Sequence, residues 1–251
     1  MTLIDDLLGT LPDGLVRDIR IGAFWTAVVV EVEGQLRCGL ASTLRDDTQH
    51  HYGGEPAVRN AGGLAEQSGR ALAELAHSCH PMEAAIGMAT INALLPKQEK
   101  LWVDRNAEDV IAQHGAGKWV ALVGHFPFVS RIRERVGILS VLEQQPHGQD
   151  LPAESAHKVI LRADIVALTG TTLLNHTFDG LINLCRPETL VLVLGPSTPL
   201  SPVMFDYGVH LLSGSMVEKI EPVLQMVSQG ANFRQVHRAG VRLVTLEKVN
   251  I

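Results

Sequence analysis

An α/β fold is predicted: a Rossmann-like, doubly wound and mainly parallel sheet, preceded by a smaller α+β domain. Three observations carry this. From about residue 105, short and nearly continuous apolar runs alternate with helix-like segments, the pattern of parallel strands covered on both faces. The runs end in glycine, as in "VALVG", "VALTG" and "LVLVLG". Before residue 105 the order differs, with strands first and helices after. The boundary falls between residues 1–104 and 105–251.

The elements follow in order. Leu3, Ile4, Leu7 and Leu8 recur at helical spacing over residues 2–9. "VRDIRIGAFWTAVVVEVEGQLRCGLAS" reads as strands, with Glu33-Gly34 turning an antiparallel hairpin. Residues 43–63, which contain "HHYGGEP", form a loop by composition. Helices are expected over Leu64–His77 and over "HPMEAAIGMATINALLP", where Pro81 fits the first turn and Pro96 is a stop. Asn106 caps a helix that Gly115 ends.

The second half then yields "KWVALVGHFPF", a short helix "VSRIRERV", "GILSVLEQ", a helix over residues 152–162, and "ADIVALTG". A helix with Phe178, Leu181, Ile182 and Cys185 on one face follows. "TLVLVLGPS", "VHLLSGS" and "VRLVTLEKV" complete the strands. In "SGSMVEKIEP", Ser215 and Glu218 have capping-box spacing, while Pro222 suits the first turn of a helix reaching about Gln229.

The bulk numbers restrict function. Of 251 residues, 46% are hydrophobic, enough for a sizeable core. Aromatic residues make up 4% and the net charge is −6, with no basic stripe, so nucleic acid is not an expected partner. No apolar run reaches membrane-spanning length, so no membrane partner is expected either. The acidic N-terminus is unlike a signal peptide, and Cys38, Cys79 and Cys185 fit reduced thiols. A cytoplasmic protein is expected, and the apolar composition permits a homodimer.

In an open parallel sheet, ligands bind beyond the carboxyl ends of the strands, near the switch in strand order. Four such ends carry small polar residues with glycine. They are Gly124-His125, Thr169 through Asn175, Gly195 through Ser201, and Ser213-Gly214-Ser215. Backbone N–H groups there are expected to converge on an anion or polar ligand. The same residues also serve ordinary turns and caps. The "GHFPFVSR" loop is not G-x-G-x-x-G, no P-loop occurs, and "GPS" is not a nucleophile elbow, which disfavours ordinary NAD use. His125 suits a ligand or proton carrier, or a loop hydrogen bond. His77, Cys79 and His80, and His50 with His51, are close in sequence but lack a strong metal-site pattern. Arg131, Arg133, Glu134 and Arg135 read as a solvated helix face.

The segments "EAAIGMATINALL", "VALVGHFPFV", "ADIVALTGTTLLNHTFDGLI", "VLVLGPSTPLSPVMFDYGV" and "LLSGS" resemble a heavy-metal chelation family long classed as a domain of unknown function. The resemblance implies a domain similar to the enolase N-terminal fold followed by a Rossmann-like domain, with a small-ligand pocket between them. By position it implies that His125, Thr171, Thr172, Asn175, Ser197 and Ser213 face the pocket, with Asn92 from the other domain. The family motif tends to have Asn three residues before Glu83, where this chain has His80.

Three readings follow. One is a protein that binds a small polar or anionic molecule, such as a metal ion or metal chelate. Another is an enzyme, a transferase or lyase using an adenosyl or nucleotide cofactor, with Glu143 near the end of the second strand to contact a ribose. The last is a subunit whose loops bind another protein.

Overall fold

A computed structural model describes residues 2–44 and 56–248. Among them, the chain forms a three-stranded antiparallel sheet and an eight-stranded, mostly parallel one.

Helix α1 (Leu3–Gly9) opens the chain, capped by Thr2 and Asp5 in a reciprocal box. Strands β1 (Leu15–Ile21), β2 (Trp25–Val32) and β3 (Gln35–Ser42) form the small sheet in sequence order. Glu33 and Gly34 both have positive φ, 51° and 75°, as a two-residue hairpin with Val32 opposite Gln35 requires.

Residues 64–77 depart from the single helix expected there. A 3₁₀ turn at Leu64–Glu66 gives way to α2 (Gly69–Ala73) and a second 3₁₀ turn at Glu74–His77. The break is tertiary in origin. Ser68 bridges to Leu15, and the Gly69 N–H donates to the Gly14 carbonyl at 2.7 Å, so the chain is extended before Ser68 caps α2.

Helix α3 (Pro81–Leu94) then packs on the small sheet. It is buried nearly all round rather than on one face, because the small sheet covers one side while α2, the second 3₁₀ turn and the segment Thr171–Leu174 also pack against it. Its approach to β3 is close: a Cβ on Gly39 would stand 2.1 Å from the Ala89 carbonyl oxygen. β2 is buried on both faces. Val28 and Val30 join the cluster around α3, while Ala27 and Val29 meet Val223, Leu224 and Val227. Each buried valine contributes on the order of 1.5–3 kcal/mol.

The large sheet takes up β4 (Trp102–Val103), β5 (Trp119–Val123), β6 (Ile138–Glu143), β7 (Leu151–Pro152), β8 (Ile165–Thr169), β9 (Leu190–Leu194), β10 (Leu211–Val217) and β11 (Val241–Glu247). Their order is β4-β11-β10-β9-β8-β5-β6-β7. The strands from β10 to β7 pair in parallel, whereas β11 is antiparallel to both β10 and β4. Order switches at β5, which has β6 on one side and β8 on the other.

Helices α4 (Ala107–Gly115), α5 (Val129–Arg133), α6 (Ala156–Val159), α7 (Thr171–Leu174), α8 (Phe178–Ile182), α9 (Val203–Asp206), α10 (Ile220–Ser228) and α11 (Phe233–Gly240) complete the fold. Asn106 caps α4, and Pro222 lies in the first turn of α10. Cys185 falls beyond the end of α8, and His176, at φ 57°, separates α7 from α8. Arg131 and Arg135 pair with Glu108 and Asp109 at the surface.

One hydrophobic cluster runs from Leu3 and Leu7 through Ile86 and Ile91 to Val166, Leu168 and Met204. The two units therefore share a core. No helix among the described residues is long and apolar enough to cross a membrane.

Candidate functional site

The junction of the two sheets is built on Asn92. Its position near the end of α3 sets its side chain against β3 and the loop after β9. Asn92 Nδ2 donates to the Leu40 carbonyl at 2.9 Å and the Ser197 carbonyl at 3.3 Å. Ser197 is buried, and its Oγ accepts from the Ser42 N–H at 2.9 Å and bonds the Ser42 hydroxyl at 3.1 Å. Because both Nδ2 contacts are acceptors, the orientation of the amide is determined. Asn92 Oδ1 is then buried with no partner, as is Thr198 Oγ1.

Asn92 and Thr198 line a cleft with walls from both units. Arg37 and Lys97 stand on it, with Trp102 and Cys38. Burial pushes the Cys38 thiol up to about 12, so it is a neutral group there.

The other candidates lie elsewhere. Thr171 Oγ1 donates to Thr169 Oγ1 at 3.1 Å, and Thr172 Oγ1 donates to the Thr169 carbonyl at 2.8 Å. Asn175 Oδ1 accepts from the Thr177 hydroxyl at 2.7 Å and its N–H at 3.3 Å. These polar groups shape their own loop. Thr172 also lines a second hollow with His77, His176 and Asp179. Ser213 is inside β10 rather than after it, bonded to Thr245 at 3.2 Å. The strand continues because β11 pairs with it as far as Val217. Ser215, in the same strand, donates to the Pro196 carbonyl rather than capping a helix.

The expected convergence of strand-end N–H groups on an anion is not met at four positions. Gly124 donates to Leu142, Gly170 to Leu194, Gly195 to Ser213 and Thr198 to Gly195, all to carbonyls at 2.7–3.0 Å.

His125 lies at the switch point, half exposed. Its Nδ1 is 3.0 Å from Oδ2 of Asp150, whose side chain is 3% exposed. The His125 backbone N–H donates to Glu143 Oε1 at 2.6 Å, and the Gln144 N–H donates to Oε2 at 3.2 Å. Glu143 thus ties the loop after β5 to the end of β6. An acceptor carboxylate selects the Nδ1–H form of a neutral His125 and leaves Nε2 as the basic nitrogen.

Sequence reasoning missed Asp150 and the buried Glu83, whereas Thr198 lay within the expected strand-end run Gly195 through Ser201. The Arg59 guanidinium, with the Ser78 hydroxyl, holds the Glu83 carboxyl at about 2, against the effect of burial. A carboxylate in the first turn of α3 was the available signal. His80 occupies the N-cap of α3 without a side-chain cap bond.

A bare metal ion fits these residues poorly. No group of three or more His, Cys, Asp or Glu side chains among the described residues could hold one. His77 instead lies 3.2 Å from Asp5. His50 and His51 fall outside the described residues.

Two family models cover most of the chain, DUF4213 over residues 4–95 and DUF364 over residues 106–245, both described as "Putative heavy-metal chelation". The chain belongs to this family. A family member from Desulfitobacterium hafniense, of unknown function, has a crystal structure similar to it at a TM-score of 0.84, with 25% identity over 98% of both chains. A second, from Pyrococcus horikoshii, gives 0.81 and 21% over the same shares. An uncharacterized protein of Methanocaldococcus jannaschii is 23% identical over 222 residues, 85% of this chain and 83% of its own length. The mixed α/β architecture is therefore that of the family.

Proposed function

We propose that the chain binds a small polar or anionic molecule at the junction of its two units, in the service of heavy-metal or metal-chelate handling. The observation that carries this is Asn92. Its nitrogen fastens the units together while its oxygen is left buried and unmatched beside a cleft. An unmatched buried acceptor costs roughly 1–3 kcal/mol, which a donor on a ligand offsets. Clefts between units are favoured ligand sites. The family description supports the metal connection.

Thermal unfolding tests the reading. Metals, chelators and their complexes are added singly to the wild type and to Asn92→Ala. A ligand at a hundred times its Kd adds about 2.7 kcal/mol, or roughly 5–10 °C for a chain of this size. At least one chelator or chelate is expected to raise the wild-type midpoint, with the rise lost in Asn92→Ala. No rise with any of them, or a rise unchanged in the variant, counts against it.

The His125–Asp150 pair favours a second reading, an enzyme moving a proton at the switch point, with an adenosyl or nucleotide cofactor in the Rossmann-like unit. Calorimetric titration with S-adenosylmethionine and with NAD tests it. Heat from either supports it, and none from both sets it aside.

A further inference from the structure

The junction cleft has a chemistry of its own. Its charged wall residues are Arg37 and Lys97, and among the described residues that line it there is no carboxylate. Lys97 is exposed at the mouth, whereas Arg37 is half-buried, with Nη1 3.4 Å from the Leu94 carbonyl. Leu36, Leu95, Leu200 and Met216 give apolar walls, and Trp102 adds an aromatic one. Asn92 Oδ1 can only accept, so the group missing opposite it is a donor. Thr198, 1% exposed, adds a hydroxyl with no partner.

These features act together. A divalent cation entering alone would exchange its water for neutral oxygens under repulsion from two cations, which is unfavourable in a partly dry pocket. A carboxylate is attracted by the same two cations. A hydroxyl or amide N–H answers Asn92, and an apolar body covers the leucines.

We infer that the junction cleft takes an amphipathic organic anion carrying a hydrogen-bond donor, of the 2-hydroxycarboxylate type, in preference to a bare metal cation. This rests on the reading of the junction as a ligand site and narrows the metal connection to the chelating molecule. The anion enters with its charge toward Lys97 and Arg37 and its donor toward Asn92.

Four probes test it on the full chain by NMR, read at the Asn92 side-chain amide and the Thr198 N–H. They are 3-phenyllactate, its uncharged amide 3-phenyllactamide, 3-phenylpropionate, which lacks the hydroxyl, and zinc chloride. Phenyllactate is expected to move both resonances in a saturable way, about tenfold more tightly than either organic analogue. Zinc alone is expected to leave them in place. Lys97→Gln, at an exposed position, should weaken phenyllactate severalfold and leave phenyllactamide unchanged.

The outcomes separate the two claims. If phenyllactamide or zinc moves the resonances as readily as phenyllactate, the junction is a ligand site but the anion inference falls. The inference also falls if Lys97→Gln leaves phenyllactate affinity unchanged, or if phenylpropionate binds equally well. Silence from all four overturns the inference and the ligand-site reading together.

Discussion

Arg59 grips Glu83 through two geometries at once, Nη2 to Oε2 at 2.7 Å and Nε to Oε1 at 3.0 Å, and the Glu83 side chain is fully buried. The Ser78 hydroxyl and the Arg59 backbone N–H donate to the same carboxylate. These bonds, led by the Arg59 side chain, outweigh the cost of burial and hold the carboxyl at about 2, below its ordinary 4.5. The contribution to stability is therefore complete above about pH 4.5 and is lost as pH falls through 2. At pH 7, Glu83→Gln should cost about 2–3 kcal/mol in urea unfolding, since charge-assisted bonds are lost from a buried group. The gap between variant and wild type should narrow steadily below pH 4. A gap that does not depend on pH would show that the ionised carboxylate is not what stabilises this corner.

Gly39 predicts a steep dependence on a single methyl group. Its Cβ would lie 2.1 Å from the Ala89 carbonyl oxygen and 2.4 Å from the Ala93 nitrogen, both helix backbone that cannot turn aside. Gly39→Ala should separate α3 from β3 and destabilise by more than about 3 kcal/mol. Gly34→Ala is the control. It has open space but a φ of 75°, so only backbone strain of about 1 kcal/mol is expected. Equal midpoints for the two variants in urea would refute the close approach.

The contrast between local and distant causes explains what could be read from the residues. The turn at Glu33-Gly34 and the runs of β5, β8 and β9 were legible because turn chemistry and continuous apolarity are local signals. The break before α2 was not, because its cause is the carbonyl of Gly14, far away in sequence. Ser213 and Ser215 looked like a turn because serine and glycine favour turns, but pairing with β11 carries the strand through them. At the junction, the motifs around Asn92 and Ser197 pointed to both residues. The bonds of Asn92 to the Leu40 carbonyl and of Ser197 to Ser42, and the unmatched Thr198 oxygen, depend on contacts across the whole chain. Thr171, Thr172 and Asn175 have bonds within their own loop, and polarity in a sequence does not reveal whether it is already satisfied.

The three cysteines should separate by reactivity. Cys79 is exposed, Cys185 is half-buried with its thiol pushed up to about 11, and Cys38 is buried with its thiol pushed up to about 12, in both cases by desolvation. Thiolate is the reactive form. With a disulfide reagent at pH 8, one thiol should react promptly and map to Cys79 by peptide mass. The other two should react fully only in denaturant. Prompt labelling of Cys38 in the native protein would mean that the junction is wetter and more open than the packing of β3 implies.

The pairing of His125 with Asp150 makes a prediction about a single proton. The carboxylate of Asp150 is nearly inaccessible to solvent and also lies 3.4 Å from the His147 N–H, so it is held in place to accept from Nδ1. Neutral His125 should therefore carry its proton on Nδ1, with Nε2 unprotonated. Nitrogen NMR of the imidazole at high pH distinguishes the two forms directly. Asp150→Asn should shift the balance toward the Nε2–H form, because a side-chain amide can turn its NH₂ toward Nδ1 and no longer demands a donor there. His125→Gln should leave stability within about 0.5 kcal/mol of wild type, as expected for a half-exposed side chain outside the core. If the wild type already shows the Nε2–H form, the carboxylate does not orient this histidine, and the proton-transfer reading loses its base.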